Sequence, residues 1–172
     1  MLDSLLIPFR SQPQPPLLPA GYSLSSEQWP EAHELDTLLV ACGDPSRPQE
    51  RIQSALKRSD WQLSVRNPGG VLVGFVRVTS DLALNANLWD LTAHPEDSEQ
   101  EQLMIVLVHT ALNRLRRELP GCSISVAAAP MAQDALKRHG FVLDPGGDPR
   151  HGADALIPAA ARAQKSPAEA GL

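Results

Sequence analysis

The sequence predicts a mixed α/β fold: one mixed sheet with helices on both of its faces. Three observations carry that expectation. Short apolar runs of strand character alternate with longer runs at helical spacing. Three strand-like runs follow one another with only turns between them, which makes an antiparallel meander. The next strand arrives only after the longest helix, and a crossover of that length makes a parallel β-α-β pair.

Taken in order, Tyr22 to Leu24 reads as a short first strand. Pro30 suits the first turn of a helix whose apolar stripe is Ala32, Leu35, Leu39 and Cys42, with Gly43 as its stop. A second short helix starts near Pro48 and puts Ile52, Ala55 and Leu56 on one face. WQLSVR alternates strictly, so Trp61, Leu63 and Val65 are expected inside and Gln62, Ser64 and Arg66 outside, as in a half-buried strand. The turn Asn67-Pro68-Gly69-Gly70 follows, and then VLVGFVRV, apolar on both faces and so a central strand. Ser80-Asp81 marks a turn before the strand ANLWDLTA. The long helix runs from about Glu99 to Leu119, with Met104, Leu107, Val108, Ala111, Leu112, Leu115 and Leu119 as one continuous face. Pro120-Gly121 stops it, SISVAA is the crossover strand, and a last helix from Pro130 to His139 ends at Gly140. FVLD and ADALI close the sheet.

A chain of 172 residues is long enough for one domain with a real core. Five of the 16 prolines fall between Pro8 and Pro19, so residues 1–20 read as an extended arm. The folded domain spans 21–158, and 159–172 reads as a disordered tail. A net charge of -5 argues against a nucleic-acid binder, and Arg114, Arg116 and Arg117 read as the solvated end of a helix. Cys42 and Cys122 lack CxxC spacing and fit free thiols in a reducing compartment. No histidine spacing supports a metal site. With an acid at Asp3 and an apolar run cut by Pro8, the N-terminus is not expected to be a signal peptide. A soluble cytoplasmic protein without a membrane partner is the expectation.

One stretch stands out. His94-Pro95-Glu96-Asp97-Ser98-Glu99-Gln100-Glu101-Gln102-Leu103 crowds acids and amides at the start of the longest helix, where α/β proteins hold phosphorylated cofactors. The run LVGFVRVTSDLALNANLWDLTAHP, residues 72–95, resembles the GNAT acetyltransferase superfamily, in the branch of photosynthetic bacteria and plastids that includes serotonin N-acetyltransferase-like proteins. Gly140-Phe141, six residues after Asp134, resembles the end of that family's fourth helix. The resemblance implies an acetyl-CoA site in a wedge between splayed parallel strands. Leu91, Thr92 and Ala93 would pair with the pantetheine arm. A Gln/Arg-x-x-Gly-x-Gly/Ala loop, here Ser98, Glu99, Gln100, Glu101, Gln102 and Leu103, would cradle the pyrophosphate.

The sequence departs from that pattern twice. Ser98, Glu101 and Leu103 stand at the three defining positions, and none matches. Ser98-x-x-Glu101 instead reads as a capping box, with hydroxyl and carboxylate on the amide donors a pyrophosphate would need, a cap contributing roughly 0.5–2 kcal/mol. Leu103 and Glu101 are expected to place side chains in the cofactor's space. Each of the acids Glu96, Asp97, Glu99 and Glu101 close to a phosphate would cost roughly 1–4 kcal/mol. Second, the family's fourth-helix tyrosine, which protonates the leaving thiolate, falls on Leu136, expected in the core. Asp90 matches an acidic residue of this branch; it reads as a general base for the amine or as a structural carboxylate. Asp81 reads as a turn residue.

Two readings follow. In one, the chain is a degenerate member with weak or no acetyl transfer, acting by protein binding or assembly, with the Pro-rich arm as an extended ligand for a partner. In the other, it is an acetyl-CoA-dependent N-acetyltransferase acting on a small amine, a lysine or a protein N-terminus. A weaker third option is a regulatory domain that senses another acyl-CoA or a nucleotide.

Overall fold

The computed structural model describes residues 14–143 and the strand Asp154–Pro158. Residues 1–13 of the arm and the tail 159–172 lie outside the described residues. The elements follow the expected order: β1 (Ser23–Ser25), α1 (Ala32–Ala41), α2 (Gln49–Lys57), β2 (Trp61–Arg66), β3 (Leu72–Ser80), β4 (Asn85–Ala93), α3 (Gln100–Glu118), β5 (Ser123–Ala128), α4 (Pro130–Arg138), β6 (Phe141–Leu143) and β7 (Asp154–Pro158).

The strands form one sheet in the order β1-β2-β3-β4-β5-β7-β6. β1 to β4 pair antiparallel in sequence, β4 and β5 are parallel, and β7 inserts antiparallel between β5 and β6. The parallel pair exists because α3, 19 residues long, carries the chain back along the sheet. Its apolar face, with Leu103, Leu107, Val108, Ala111, Leu112 and Leu115, joins the inner residues of β2 to β5 in the larger core. α1 and α2 cover the opposite face in a second cluster around Leu35, Leu38, Ile52, Leu72 and Phe75.

One expectation about β2 is corrected. Gln62 and Ser64 are buried along with their apolar neighbours. The segment before α1 crosses that face, and the Gln28 carbonyl accepts from Gln62 Nε2 (3.0 Å) and Ser64 Oγ (3.1 Å). A polar side chain is tolerated inside because a backbone acceptor meets it there.

Gly74 fixes how close α3 approaches the sheet. A Cβ built on it would lie 3.1 Å from Leu107 Cδ1 and 3.2 Å from Val65 Cβ. Gly74→Val is therefore expected to destabilise by about 1–3 kcal/mol through overpacking, read as a lowered urea midpoint at constant m-value.

At the start of α1, Glu34 serves two purposes. Its carboxylate accepts from the Glu31 backbone N–H at 3.0 Å, and it forms a bidentate pair with Arg66 at 2.7 and 2.9 Å. The Arg66 guanidinium, with that backbone N–H in support, holds the Glu34 carboxyl at about 2, down from 4.5. A depressed carboxyl stabilises the fold above its unfolded-state value and ceases to do so as pH falls through its folded value. The stability gap between wild type and Glu34→Gln is expected to be full above pH 4.5 and to close towards pH 2, as measured by denaturation at stepped pH.

Candidate active site

The site begins with one extra residue in β4. Against β3, Phe75 faces Thr92 and Arg77 faces Trp89, so Asp90 and Leu91 together oppose Val76. The same step breaks the parallel pairing, which jumps from Leu88↔Val126 to Leu91↔Ala128. Asp90 takes φ 54°, the left-handed region that an aspartate tolerates better than most residues. This β-bulge bends β4 away from β5 and opens a wedge at their C-terminal ends.

A cleft of about 470 Å³ fills the wedge. Leu91 and Thr92 form its β4 wall, Ala127, Ala129 and Pro130 the opposite wall, and Cys42 to Pro45 its rim. A second hollow of about 280 Å³ runs on beneath α1 and α2, and Leu39, Arg47, Trp89 and Asp90 line both.

Asp90 does not stand free. Its Oδ2 accepts from Arg77 Nε at 2.5 Å, and the two side chains are 22% and 16% exposed. Arg77 also lies 5.8 Å from the centre of the Trp89 ring, whose indole N–H donates to Thr79 Oγ1 at 2.8 Å. Asp90 therefore meets a side-chain cation at the bulge, where the sequence suggested a general base or a carboxylate bound to a turn or backbone donor. Cys42 donates its thiol to the Ala93 carbonyl at 3.5 Å, and burial pushes that thiol upward in pKa, so it stays protonated at neutral pH.

Of the residues matched to the cofactor loop, none lines the cleft. The expected capping box is absent. The N-cap of α3 is Glu99, and no side chain caps it. Asp97 acts instead: its Oδ1 accepts the Glu99 N–H at 2.9 Å and the Tyr22 hydroxyl at 2.8 Å. The carboxylate two residues before the free amide closes an Asx-type turn that Ser98 would need to unwind to cap the helix. Leu103 is also corrected. It is fully buried in the main core and adds nothing to the cofactor's space, whereas Glu101 is exposed.

Gln100, the first residue of α3, reaches back across the wedge. Its Nε2 donates to the Ala93 carbonyl at 3.2 Å and contacts Met131 Sδ, at the start of α4, at 3.6 Å. Gln102 Nε2 donates to the Leu17 carbonyl at 2.7 Å, which ties the end of the arm to the helix. Glu96, Asp97, Glu99 and Glu101 enter no ion pair among the described residues. Leu136 is buried, as expected. Asp81 is a turn residue, its Oδ1 accepting from the amides of Ala83, Leu84 and Asn85. Among the described residues there is no cluster able to hold a metal ion, and no helix is long and apolar enough to cross a membrane.

Sequence reasoning missed Arg77, Arg47, Trp89 and the Gln100 bridge. Arg77 had left a signal, as the only charge within a strand apolar on both faces, which demands a buried partner. The others depend on which loop folds over which strand, and no local pattern encodes that.

No family model matches the chain. It is 34% identical over 127 residues to the uncharacterized N-acetyltransferase ycf52 of Pyropia yezoensis, covering 72% of each chain. Among solved structures, an acetyltransferase from Streptococcus agalactiae superposes with a TM-score of 0.64 at 11% identity, over 81% of this chain and 98% of the other. The GNAT-family N-acetyltransferase YhbS of Escherichia coli, solved in complex with CoA, superposes with a TM-score of 0.58 at 16% identity, over 80% of each chain.

The pair at the bulge can be isolated by a double-mutant cycle. Arg77→Met leaves a half-buried carboxylate without its cation and is expected to cost about 1–3 kcal/mol. Asp90→Asn keeps a residue tolerant of the left-handed conformation, and combined with Arg77→Met it should recover part of that loss in urea unfolding.

Proposed function

The chain belongs to the GNAT superfamily of N-acetyltransferases, in the branch of the ycf52 proteins, and from that premise we propose that it has kept the fold and its cleft while losing efficient acetyl transfer, and acts by binding. The observation that carries this reading is Gln100. The family resemblance assigns Leu91, Thr92 and Ala93 at the end of β4 to the pantetheine arm, in the wedge between the splayed parallel strands. Here Gln100 already takes the Ala93 carbonyl and touches Met131 at the start of α4.

Electrostatics adds to it. Four acids flank the tip where a diphosphate would settle, none neutralised by an ion pair among the described residues. At surface-like screening each close acid–phosphate pair costs roughly 1–4 kcal/mol, and 1.4 kcal/mol is about tenfold in affinity. With Glu101 in place of the first glycine, an exposed side chain also stands where the cofactor needs close approach to the backbone. The residues present therefore do not fit a diphosphate. Nor does a buried leucine at 136 donate a proton to a departing thiolate. As in the sequence reading, we assign the Pro-rich arm to a protein partner; its described end, Leu17 and Leu18, already contacts α3 and the main core.

A second reading rests on one observation, the retained wedge. β4 is still bulged and its Leu91–Thr92 wall still faces open volume, as an N-acetyltransferase on a small amine, a lysine or a protein N-terminus would need. In that case Asp90 would have to leave Arg77 to accept the amine proton.

The experiment is a melt in 1 mM acetyl-CoA or CoA, with calorimetric titration alongside. No shift is the expected result. A Kd of about 10 μM would place the ligand at 100 times Kd and add about 2.7 kcal/mol of stability, a plain rise in Tm, and that result would overturn this reading.

A further inference from the structure

The charge along the cleft runs opposite to what an acetyl donor and an amine acceptor require. Acids crowd the tip of α3. At the other end, where the cleft continues beneath α1 and α2, the lining contains Arg47, Arg51 and Arg77. Against these three guanidinium groups stand two carboxylates on the same joined surface, Asp44 and Asp90. Arg47 is engaged by Asp44 at 2.9 Å and Arg77 by Asp90 at 2.5 Å. Arg51 is exposed; its backbone N–H donates to the Pro48 carbonyl at 3.0 Å, and its guanidinium makes no hydrogen bond or ion pair among the described residues.

The position of Arg51 is unusual for a purely structural cation. It lies in the first turn of α2, a helix of nine residues whose N-cap Pro48 supplies no side-chain acceptor. The positive end of the helix dipole disfavours a cation there and favours an anion, and the neighbouring Glu50 answers only part of that demand. The hollow beside it is apolar below, with Leu35, Leu39 and Ile52, and carries the Trp89 ring at its side, 38% exposed. Its volume of about 280 Å³ is at the lower edge of drug-sized sites, which span roughly 300–1,000 Å³.

We propose that this hollow binds a small organic carboxylate with an apolar or aromatic body, its anion held by Arg51 and the edge of the Arg47 guanidinium and its body resting against Trp89. A guanidinium presents paired donors to a carboxylate, and an unpaired one at a helix start has no internal competitor for them. The same cations repel a protonated amine. The inference rests on the reading of the cleft as a binding site without acetyl transfer, but it is tested without acetyl-CoA.

The test is an NMR titration of the full-length, isotope-labelled protein with three probes of one shape: phenylacetate, phenylacetamide and phenethylamine. Inorganic phosphate serves as competitor. Phenylacetate is expected to shift the amides around 47–56 and 89–90 in saturable fashion, and phenylacetamide to bind at least tenfold more weakly. Phenethylamine should leave those amides unmoved, and phosphate at equal concentration should not displace phenylacetate. Arg51→Gln is expected to weaken phenylacetate at least tenfold while leaving Tm unchanged. Equal or tighter binding of the amine overturns the proposal, as does unaltered affinity in Arg51→Gln. Displacement by phosphate overturns it too, since it would mark a bare anion site without an apolar component. No response to millimolar phenylacetate, together with no acetyl-CoA binding, defeats this inference and leaves the proposed function standing; acetyl-CoA binding defeats the latter whatever phenylacetate does.

Discussion

The arrangement of this protein depends on a single surplus residue in its fourth strand. Two residues of β4 oppose one of β3, and the pairing with β5 breaks after Leu88 and resumes one residue out of step at Leu91↔Ala128. Beside that offset lies a pocket with Leu91 and Thr92 in its wall, in a sheet whose two faces are otherwise covered. The cost is an aspartate in a conformation that side chains of its kind adopt only locally, and the Arg77 guanidinium across the strand holds it there.

That geometry came with the fold, and the chemistry lies in what surrounds it. The start of α3 carries acids and a glutamine where a phosphate cradle would use bare backbone. Helices α1 and α2 meet the wedge with arginines. Specificity is a difference between affinities, and charge at the rim of a pocket sets much of it.

The fold was legible because its signals are local and periodic. The apolar face of α3 sits where 3.6-residue spacing puts it, and the parallel crossover follows from that helix's length. Polar residues inside were not legible: Gln62 and Ser64 alternate like outward-facing side chains, yet a connecting segment lies over them. At the candidate site the motif positions could be found but not their orientation. Leu103 occupies a loop position by count and the core by geometry, since a helix starting at Gln100 turns its fourth residue inward. Ser98 forms no cap; the Asp97 carboxylate takes the Glu99 amide in the turn before the helix, and Tyr22, 75 residues away in sequence, donates to the same oxygen. Contacts of that separation leave no trace in spacing.

The splayed strands have one more consequence, for solubility. A wedge inside a sheet exposes a stretch of unpaired edge, the kind of template on which an extended segment of another chain can add itself. At its mouth the Ala93 carbonyl is met by both the Gln100 amide and the Cys42 thiol, and Pro130 on the facing wall has no amide proton to offer an incoming strand. The Gln100 and Cys42 side chains thus occupy a backbone acceptor that an added strand would otherwise use.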